Sequence, residues 1–478
     1  MQSVSLETIR LPVTLLFIFA LILIWFGQII YQRVLQSQTG WVAGLIACGF
    51  VLFIVAAQLA MRQRVLAVVI TAVQALCRYF KIQSWQLLLF CIAPFYVAMT
   101  SLAAGDKLIA NHALVASVSW LIVIGLLIAA GYKKEEGVVL NRWEIWILAF
   151  LFVVALAARG LLTSEFPATF SGDEGSAGLV AVQFFEGTVD NWFVTGWFSF
   201  PSFYFAIQSL GIHLWGQTIQ AARLISVFVG GMAVIATYWM VRTLFDRVTA
   251  VFAAFYLAVS HYHIHFSRIA LNNVWDSLFG AIAIYGFWDG WQNGRRTSYL
   301  WCGLSLGIGM YFYVSIRVLP VIFLIWSLAA FIWKRKQFFE RLPDLILTAV
   351  TSVLIALPIG IHFYKFPAQF SAPLNRVTIL GPWLEAEVAR TGMTQFEIIA
   401  DQMWLSLLGF TFQPLRLFYE PGVPLLLTGA ATLFLIGFVW GIINFDLRYL
   451  LLMLPLLATV ISNGLSQSPP ASQRFILA

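Results

Sequence analysis

A short polar turn, Ser171-Gly172-Asp173-Glu174-Gly175, interrupts a long series of apolar segments. A carboxylate at a membrane surface can accept the proton of an attacking hydroxyl, which is the work of a general base. We interpret Asp173 as this base, because glycines flank the acidic pair closely, and Glu174 as its supporting acid. The turn also has the S-x-x-E pattern of a capping box, in which Glu174 would bond back to Ser171. For Glu174, the capping role and the direct role both stay open.

The stretch from His261 to Asn273 is a second polar interruption, with three histidines and one arginine. On a continuous helix, four of its polar side chains would share one face. They are His261, His265, Arg268 and Asn272. This stripe predicts a substrate-binding surface, since a guanidinium pairs well with phosphate, although Arg268 could also extend to lipid headgroups. His263 would point away from the other histidines, so we expect no metal and no cofactor.

Two further cations, Arg317 and Arg416, lie near aromatic residues where apolar runs begin or end. Each is a candidate for binding the phosphate of a lipid-linked substrate. The alternative for each is an anchor in the aromatic belt at the membrane–water interface.

The chain is strongly apolar: 61% of its 478 residues are hydrophobic, 10% are charged, and the mean hydropathy is +0.88. Soluble domains carry roughly a quarter charged residues, so this composition excludes a soluble protein. The apolar runs are continuous rather than alternating, which predicts an all-α polytopic membrane protein. The net charge of +7 is dispersed over helix ends, so no nucleic-acid partner is expected. The four cysteines lie in apolar runs and imply no disulfide framework.

Apolar runs of about 20 residues predict the membrane helices. They are Leu11–Tyr31, Gly40–Met61, Val65–Phe80, Trp85–Ala104, His112–Tyr132, Trp143–Leu162, Ala221–Leu244, Thr249–His265, Val274–Trp291, Tyr299–Val314, Val318–Trp333, Leu345–His362, Val423–Ile443 and Leu447–Gly464. The first is interpreted as an uncleaved anchor. Whether Val65–Phe80 spans or lies in the interface stays open, and no span carries a charge near its middle.

Most lysines and arginines in short loops collect on one side, which is therefore predicted to be cytoplasmic. The opposite side receives the acidic turn, the histidine stretch and the long segment Tyr364–Gly422. Helices lying along the interface are predicted at Ala177–Phe185 and Pro201–Trp215. In the second outward loop, Thr394 to Glu397 forms another capping-box pattern that opens a helix toward Leu408.

These motifs resemble the GT-C-fold, phospholipid-carrier-dependent glycosyltransferases, which include the protein O-mannosyltransferases and the aminoarabinose transferases. The resemblance depends on the acidic turn Gly172–Gly175, on Phe266–Asn273 and on the region from Gln413 to Pro424. It covers the chain from about Trp143 to the end, so residues 141–478 are predicted to be a GT-C-like core with interfacial helices. Residues 1–140 are predicted to be an N-terminal transmembrane extension of unknown role, and the helix-like Ser472–Ala478 suggests a truncated C-terminus.

The resemblance implies inverting sugar transfer from a polyprenyl-phosphate donor, with Asp173 as base, on the extracytoplasmic face of the plasma (inner) membrane. The acceptor, a lipid, glycan or protein, is not identified. Related enzymes often carry an aspartate where this chain has Asn272 or Asn273, which makes Asp276 a candidate substitute. A transporter or flippase of lipid-linked sugars and a structural membrane subunit are the alternatives. The enzyme hypothesis differs from both in predicting that Asp173 and Arg268 share one outward-opening cavity.

Overall fold

The computed structural model describes residues 39–61, 112–132 and 140–477, and isolated residues at positions 16, 17, 19–21, 23, 24, 27, 71, 74, 75, 77–79, 96 and 100. The chain forms two compact units, Met1–Ala98 and Met99–Ala478. In the first unit, helix α1 spans Thr39–Met61, close to its predicted bounds. The predicted spans Leu11–Tyr31, Val65–Phe80 and Trp85–Ala104 lie largely outside the described residues. The predicted boundary near residue 140, between the N-terminal extension and the GT-C-like core, stays a prediction.

The described part of the second unit is helical, and its only β-type pairings are isolated bridges. Its α-helices are α2 His112–Gly131, α3 Arg142–Gly160, α4 Gly172–Phe185, α5 Ser202–Trp215, α6 Ile219–Leu244, α7 Arg247–Val259, α8 His261–Arg268, α9 Asn273–Asn293, α10 Arg296–Gly309, α11 Leu319–Trp333, α12 Arg335–Lys365, α13 Pro367–Asn375, α14 Pro382–Thr391, α15 Gln395–Leu408, α16 Thr428–Ile443 and α17 Leu447–Gly464. Short 3₁₀ turns lie at Trp197–Ser199, Val314–Val318 and Ser472–Arg474.

Within the described residues, five helical segments are long and apolar enough to cross a bilayer. They are α3, α6, α12, α17 and the stretch Val314–Trp333, which contains α11. The predicted all-α polytopic membrane fold is thus confirmed. The capping box at Thr394 is also confirmed, because the Thr394 hydroxyl accepts from the backbone N–H of Glu397 and the Glu397 carboxylate accepts in return.

The predicted single span Thr249–His265 is wrong, because the chain forms two helices, α7 and α8, that meet at Ser260. Ser260 adopts an extended conformation with φ −62° and ψ 118°, and its hydroxyl accepts from the backbone N–H of His263 to cap α8. The residues from Arg247 to Arg268 include neither proline nor glycine, so no helix-breaking residue marks this position in the sequence. The predicted helix start at Ser472 is also wrong, since this segment forms a single 3₁₀ turn.

A fully buried arginine, Arg159 near the end of α3, fixes the break between α7 and α8. Its guanidinium donates to the carbonyls of Leu257 and Ala258 at 2.9 Å each. These bonds satisfy backbone carbonyls at the C-terminal end of α7, where the helix itself supplies no N–H donor. It also donates to His263 Nδ1 at 2.9 Å and to Ser267 Oγ at 3.2 Å. One side chain therefore ties α3 to both helices.

Helix α6 packs closely against α8 at Gly230, beside Arg159. A Cβ atom on Gly230 would collide with the side chain of Ser267, so only glycine allows α6 and α8 to come this close. The C-terminal part of α3, the middle of α6 and helix α8 are therefore held close together.

Charged side chains also meet at the opposite ends of α3 and α6. Glu144 near the start of α3 pairs with Arg242 at 3.0 Å and with Arg247 at 3.7 Å, and it accepts from the Tyr238 hydroxyl at 2.6 Å. These contacts bring together helix ends that the sequence analysis placed on one side of the membrane. The cytoplasmic identity of that side stays a prediction.

An aromatic core packs between α9, α11 and α17. Phe287 stacks on Phe323 with ring centroids 4.3 Å apart, and Trp326 meets Phe287 edge-on at 4.9 Å and Trp291 at 5.0 Å. The indole N–H of Trp326 donates to the carbonyl of Leu447 at 2.6 Å, which satisfies its polar atom and holds the start of α17.

Candidate active site

The acidic turn begins helix α4 with the capping box that its sequence predicts. The Ser171 hydroxyl accepts from the backbone N–H of Glu174 at 3.2 Å, and the Glu174 carboxylate accepts from the backbone N–H of Ser171 at 3.3 Å. Helix α4 therefore begins at Gly172, five residues before the predicted Ala177. The two acids occupy the first turn of the helix, where the helix dipole favours negative charge.

Glu174 is buried and forms a bidentate ion pair with Arg223 of α6. The guanidinium meets the two carboxylate oxygens at 2.9 and 3.0 Å, and both side chains are 1% exposed. Its remaining N–H groups donate to the carbonyls of Thr163, Pro167 and Thr169. Arg223 thus holds the loop that leads into the acidic turn, and the sequence analysis did not identify it as the partner of Glu174.

Asp173 has a different environment from its neighbour. It is partly exposed, and in the described portion of the chain its carboxylate has neither a hydrogen-bond partner nor an ion-pair partner. Partial burial raises the pKa of the Asp173 carboxyl above its usual range. Of the two acids, Asp173 is therefore the one with oxygens available to a substrate, and a raised pKa makes its carboxylate a stronger base.

Arg268 lies at the end of α8 and binds the turn that follows α3. Its guanidinium donates to the carbonyls of Ala158, Leu161, Leu162 and Phe166 at distances between 2.6 and 3.1 Å. These bonds use most of its N–H groups, so its main contacts in this structure position the chain between α3 and the acidic turn.

A second bond joins the acidic turn to the residues after α8. The backbone N–H of Ala270 donates to Glu174 Oε1 at 2.8 Å. Asp173 is one residue from the acceptor of this bond, and Arg268 is two residues from its donor. The two polar motifs that the sequence singled out, almost a hundred residues apart, are therefore in direct contact.

The histidines of α8 meet the loop between α15 and α16. His261 Nε2 donates to the carbonyl of Leu425 at 3.2 Å, so its Nδ1 accepts from the Tyr419 hydroxyl at 2.9 Å. The ring of His265 stacks on Tyr419 with centroids 4.3 Å apart, and its Nε2 donates to the carbonyl of Phe418 at 3.1 Å. The acceptor atom of His265 is thus Nδ1.

The charge state of His265 follows from its surroundings. Burial, with the nearby cations Arg223 and Arg268 adding to it, lowers the pKa of His265 to about 4. At neutral pH its imidazole is uncharged and offers a lone pair to a hydroxyl donor.

The predicted stripe on α8 does not extend to Asn272. Helix α8 ends at Arg268, Ile269 is extended, and the Asn272 amide donates to the carbonyl of Phe312 at 3.1 Å. The prediction of one continuous face was wrong because it assumed an unbroken helix. His263 points inward to Arg159 and to Ser277 Oγ at 3.0 Å. In the regions that the structure describes, no three His, Cys, Asp or Glu side chains are grouped so that they could hold a metal ion.

Arg317 lies against two aromatic rings near the C-terminal end of α12. Its guanidinium carbon is 4.9 Å from the centroid of Phe363 and 4.6 Å from that of Phe370, and Nη1 donates to the carbonyl of Phe370 at 3.0 Å. The buried Asp276 accepts from Ser315 Oγ at 2.7 Å and from the backbone N–H of Ile316 at 2.8 Å. Asp276 thus fixes the 3₁₀ turn that carries Arg317.

Arg416 is exposed on the loop that contacts the α8 histidines. Its backbone pairs with the segment around Ala471, since its N–H donates to the carbonyl of Pro470 and its carbonyl accepts from the N–H of Ser472. Among the described residues its guanidinium has no partner. Arg416 is therefore a rigidly mounted cation whose donors are all available.

Residues 199–362 match a family model described as dolichyl-phosphate-mannose-protein mannosyltransferase. The resemblance to the GT-C superfamily found in the sequence is thus confirmed over this segment, which contains α8, Arg268 and Arg317. The acidic turn precedes the matched segment and Arg416 follows it.

Among characterised proteins, dolichyl-phosphooligosaccharide-protein glycotransferase 3 of Archaeoglobus fulgidus is 24% identical over 187 residues. The aligned part is 35% of this chain and 21% of that relative, so the chain spans about a fifth of the relative's length.

Two solved structures are similar to this chain. One is an Archaeoglobus fulgidus oligosaccharyltransferase tethered with an acceptor peptide containing the NVT sequon, with a TM-score of 0.45, 14% identity, and 70% of this chain and 48% of that chain covered. The other is ArnT from Cupriavidus metallidurans bound to undecaprenyl phosphate, with a TM-score of 0.39, 15% identity, and 67% and 60% covered. Both similarities are distant.

Proposed function

We propose that this protein is a membrane glycosyltransferase that moves a sugar from a polyprenyl-phosphate donor to an acceptor on the extracytoplasmic face of the plasma membrane. An acceptor hydroxyl attacks the anomeric carbon, and the bond from that carbon to the phosphate oxygen breaks. The hydroxyl proton passes to the carboxylate of Asp173. The polyprenyl phosphate leaves with the bonding electrons, and the configuration at the anomeric carbon inverts.

The observation that carries this proposal is the contrast between the two adjacent acids. Glu174 is locked in an ion pair with Arg223, whereas Asp173 is partly exposed and without a partner in the described part of the chain. Glu174 accordingly acts as a positioning residue that holds the first turn of α4. The rigid mounting of Asp173 suits a general base, since proton transfer needs a fixed geometry.

Binding of the donor is assigned to the cations and histidines around this turn. Arg416 and Arg317 retain N–H donors for the phosphate, and Arg268 has one remaining N–H on Nη1. His265, uncharged at neutral pH, accepts a hydrogen bond from a sugar hydroxyl at Nδ1. His261 orients Tyr419, and Asn272 holds the backbone after α8 through Phe312.

The test is transfer by the full chain in lipid nanodiscs with a panel of polyprenyl-phosphate sugars. Acceptors are supplied as three separate classes: a lipid, a glycan and a peptide. Release of polyprenyl phosphate with formation of a glycosylated acceptor supports the proposal. Binding of the donor followed by its movement across the bilayer, without cleavage, would favour a flippase and contradict it.

The pH dependence of kcat/KM should show an acidic limb that belongs to Asp173. Because the base must be ionised, activity falls as the pH drops through the pKa of this carboxyl. Burial raises that pKa above its usual value of 3.8, so the midpoint of the limb is expected above pH 3.8. Rates measured between pH 3.5 and 8 at a fixed ionic strength check this. A limb that persists unchanged in the residual activity of Asp173→Asn would assign it to another group.

Replacing Arg416 by Gln is expected to raise KM for the donor roughly tenfold, because a charge-assisted contact with the phosphate is lost. Its effect on kcat should be small, since the phosphate is bound in the ground state and in the transition state alike. Arg416→Lys should restore part of the affinity. The matched control is Arg390→Gln, an exposed arginine of the same outward segment whose one ion pair among the described residues is with Glu387. Equal KM values for Arg416→Gln and the native protein would remove Arg416 from the donor site.

A further inference from the structure

Helix α5 contains a buried glutamine, Gln208. Gln208 is 1% exposed, and neither its amide nitrogen nor its amide oxygen has a hydrogen-bond partner within the described residues. Buried amides are almost always hydrogen-bonded, because an unpaired one loses its bonds to water without replacement. An amide with both of its polar atoms unpaired therefore points to a ligand.

Tyr204 lies one helical turn before Gln208 and has the same property. It is 2% exposed, and its hydroxyl also has no partner in the described part of the molecule. Residues four apart lie on one face of a helix, so the phenol hydroxyl and the amide are neighbours. Gly211 continues this face, and a Cβ atom there would be 2.5 Å from the carbonyl oxygen of Ala221. The face that carries both polar groups is thus packed against α6.

This face lies next to the candidate active site. Ala221 is two residues before Arg223, which holds Glu174. Burial chiefly, and the charge of Glu174 in addition, raise the pKa of the Tyr204 hydroxyl well above its usual value, so the phenol stays neutral. Thr163, whose carbonyl accepts from Arg223, is fully buried and its hydroxyl is likewise unpaired among the described residues.

We propose that Tyr204 and Gln208 form a buried binding site for a hydroxyl group behind the acidic turn. An amide offers one acceptor and two donors, and a phenol offers both functions, which matches a group that donates and accepts at once. The hydroxyl comes either from a resident water molecule or from the sugar of the substrate. The second source depends on the proposed transferase function, whereas the first does not.

The experiment compares Tyr204→Phe, which removes one oxygen atom with little change of shape, and Gln208→Met, which removes both polar atoms at similar volume. The control is Ser209→Ala, since within the described residues the Ser209 hydroxyl bonds only to the carbonyl of Ala206 in its own helix. The readouts are the midpoint of thermal unfolding of the full chain in nanodiscs without substrate, and KM and kcat for a polyprenyl-phosphate sugar.

A resident water predicts that both variants lower the unfolding midpoint without substrate by several degrees. The unfolding midpoint of the double variant then falls by less than the sum of the two single-variant decreases, because the two side chains hold one molecule. A substrate hydroxyl predicts an unchanged or raised midpoint together with a KM at least tenfold higher.

Unchanged kinetics with an unchanged or raised midpoint in both variants would overturn the site, since the two groups then bind nothing. The site would also be overturned if the decreases in unfolding midpoint were additive in the double variant while KM and kcat stayed unchanged. If the native protein transfers no sugar from any donor, the proposed function fails, but the unfolding measurements still decide whether water occupies the site.

Discussion

An Asp173→Asn variant is expected to transfer sugar about 10²- to 10⁴-fold more slowly than the native protein, the range that a lost general base usually costs. Asparagine keeps the size of the side chain but cannot take the proton of the attacking hydroxyl. Because the Asp173 carboxylate has no partner within the described chain, the substitution leaves no buried charge behind. The unfolding midpoint should therefore stay close to that of the native protein.

Two further variants make this prediction sharp. Asp173→Glu retains a carboxylate at a displaced position and should recover part of the rate. Asp190→Asn removes an exposed acid from the loop that follows α4 and should leave the rate unchanged. Substrate binding should be nearly unaffected in Asp173→Asn, so the loss should appear in kcat. A native rate in Asp173→Asn would show that another group accepts the proton.

A Glu174→Gln variant is expected to lower the free energy of unfolding by about 3–5 kcal/mol, since it leaves the buried guanidinium of Arg223 without its counter-charge. The same change weakens the capping box and the bond from the Ala270 N–H. Thermal unfolding in nanodiscs measures the effect. Transfer should fall as well, because the first turn of α4 positions Asp173.

The double variant Glu174→Met with Arg223→Met removes both charges and is expected to regain part of the stability, as replacement of a buried pair by apolar side chains often does. It should not regain the activity, because the loop carbonyls that Arg223 holds lose their donor. The control is Glu387→Gln, which breaks an exposed pair with Arg390 and should leave the unfolding midpoint unchanged. A stable Glu174→Gln variant would mean that the pair contributes little to the fold.

Much of the helical architecture followed from composition and local pattern. Long apolar runs predicted α3, α6 and α17 closely, because in hydrocarbon a helix is the simplest way to satisfy every backbone group. The capping boxes at Ser171 and Thr394 could also be predicted from the sequence, since a capping box is a contact between residues three positions apart. Such features depend only on near neighbours along the chain.

The break at Ser260 shows where local pattern is insufficient. The sequence from Arg247 to Arg268 is compatible with one long helix. Such a helix would carry its polar side chains as a stripe on one face. Arg159, about a hundred residues earlier, instead binds the last carbonyls of α7 and turns His263 inward. A distant side chain thus decides which histidines of α8 contact the loop between α15 and α16.

The sequence by itself determined that this is a helical membrane protein with an acidic turn and an arginine-containing polar motif, and that both motifs resemble those of GT-C enzymes. Only the tertiary structure decided which acid has free oxygens, because Arg223 reaches Glu174 across 49 residues and leaves Asp173 unpaired among the described residues. It also decided that Arg268 mainly positions the chain, whereas the Arg416 guanidinium has no partner among the residues that the structure describes. The physical reason is that ionic and hydrogen-bonding partners are chosen by proximity in space, and a single sequence records only order along the chain.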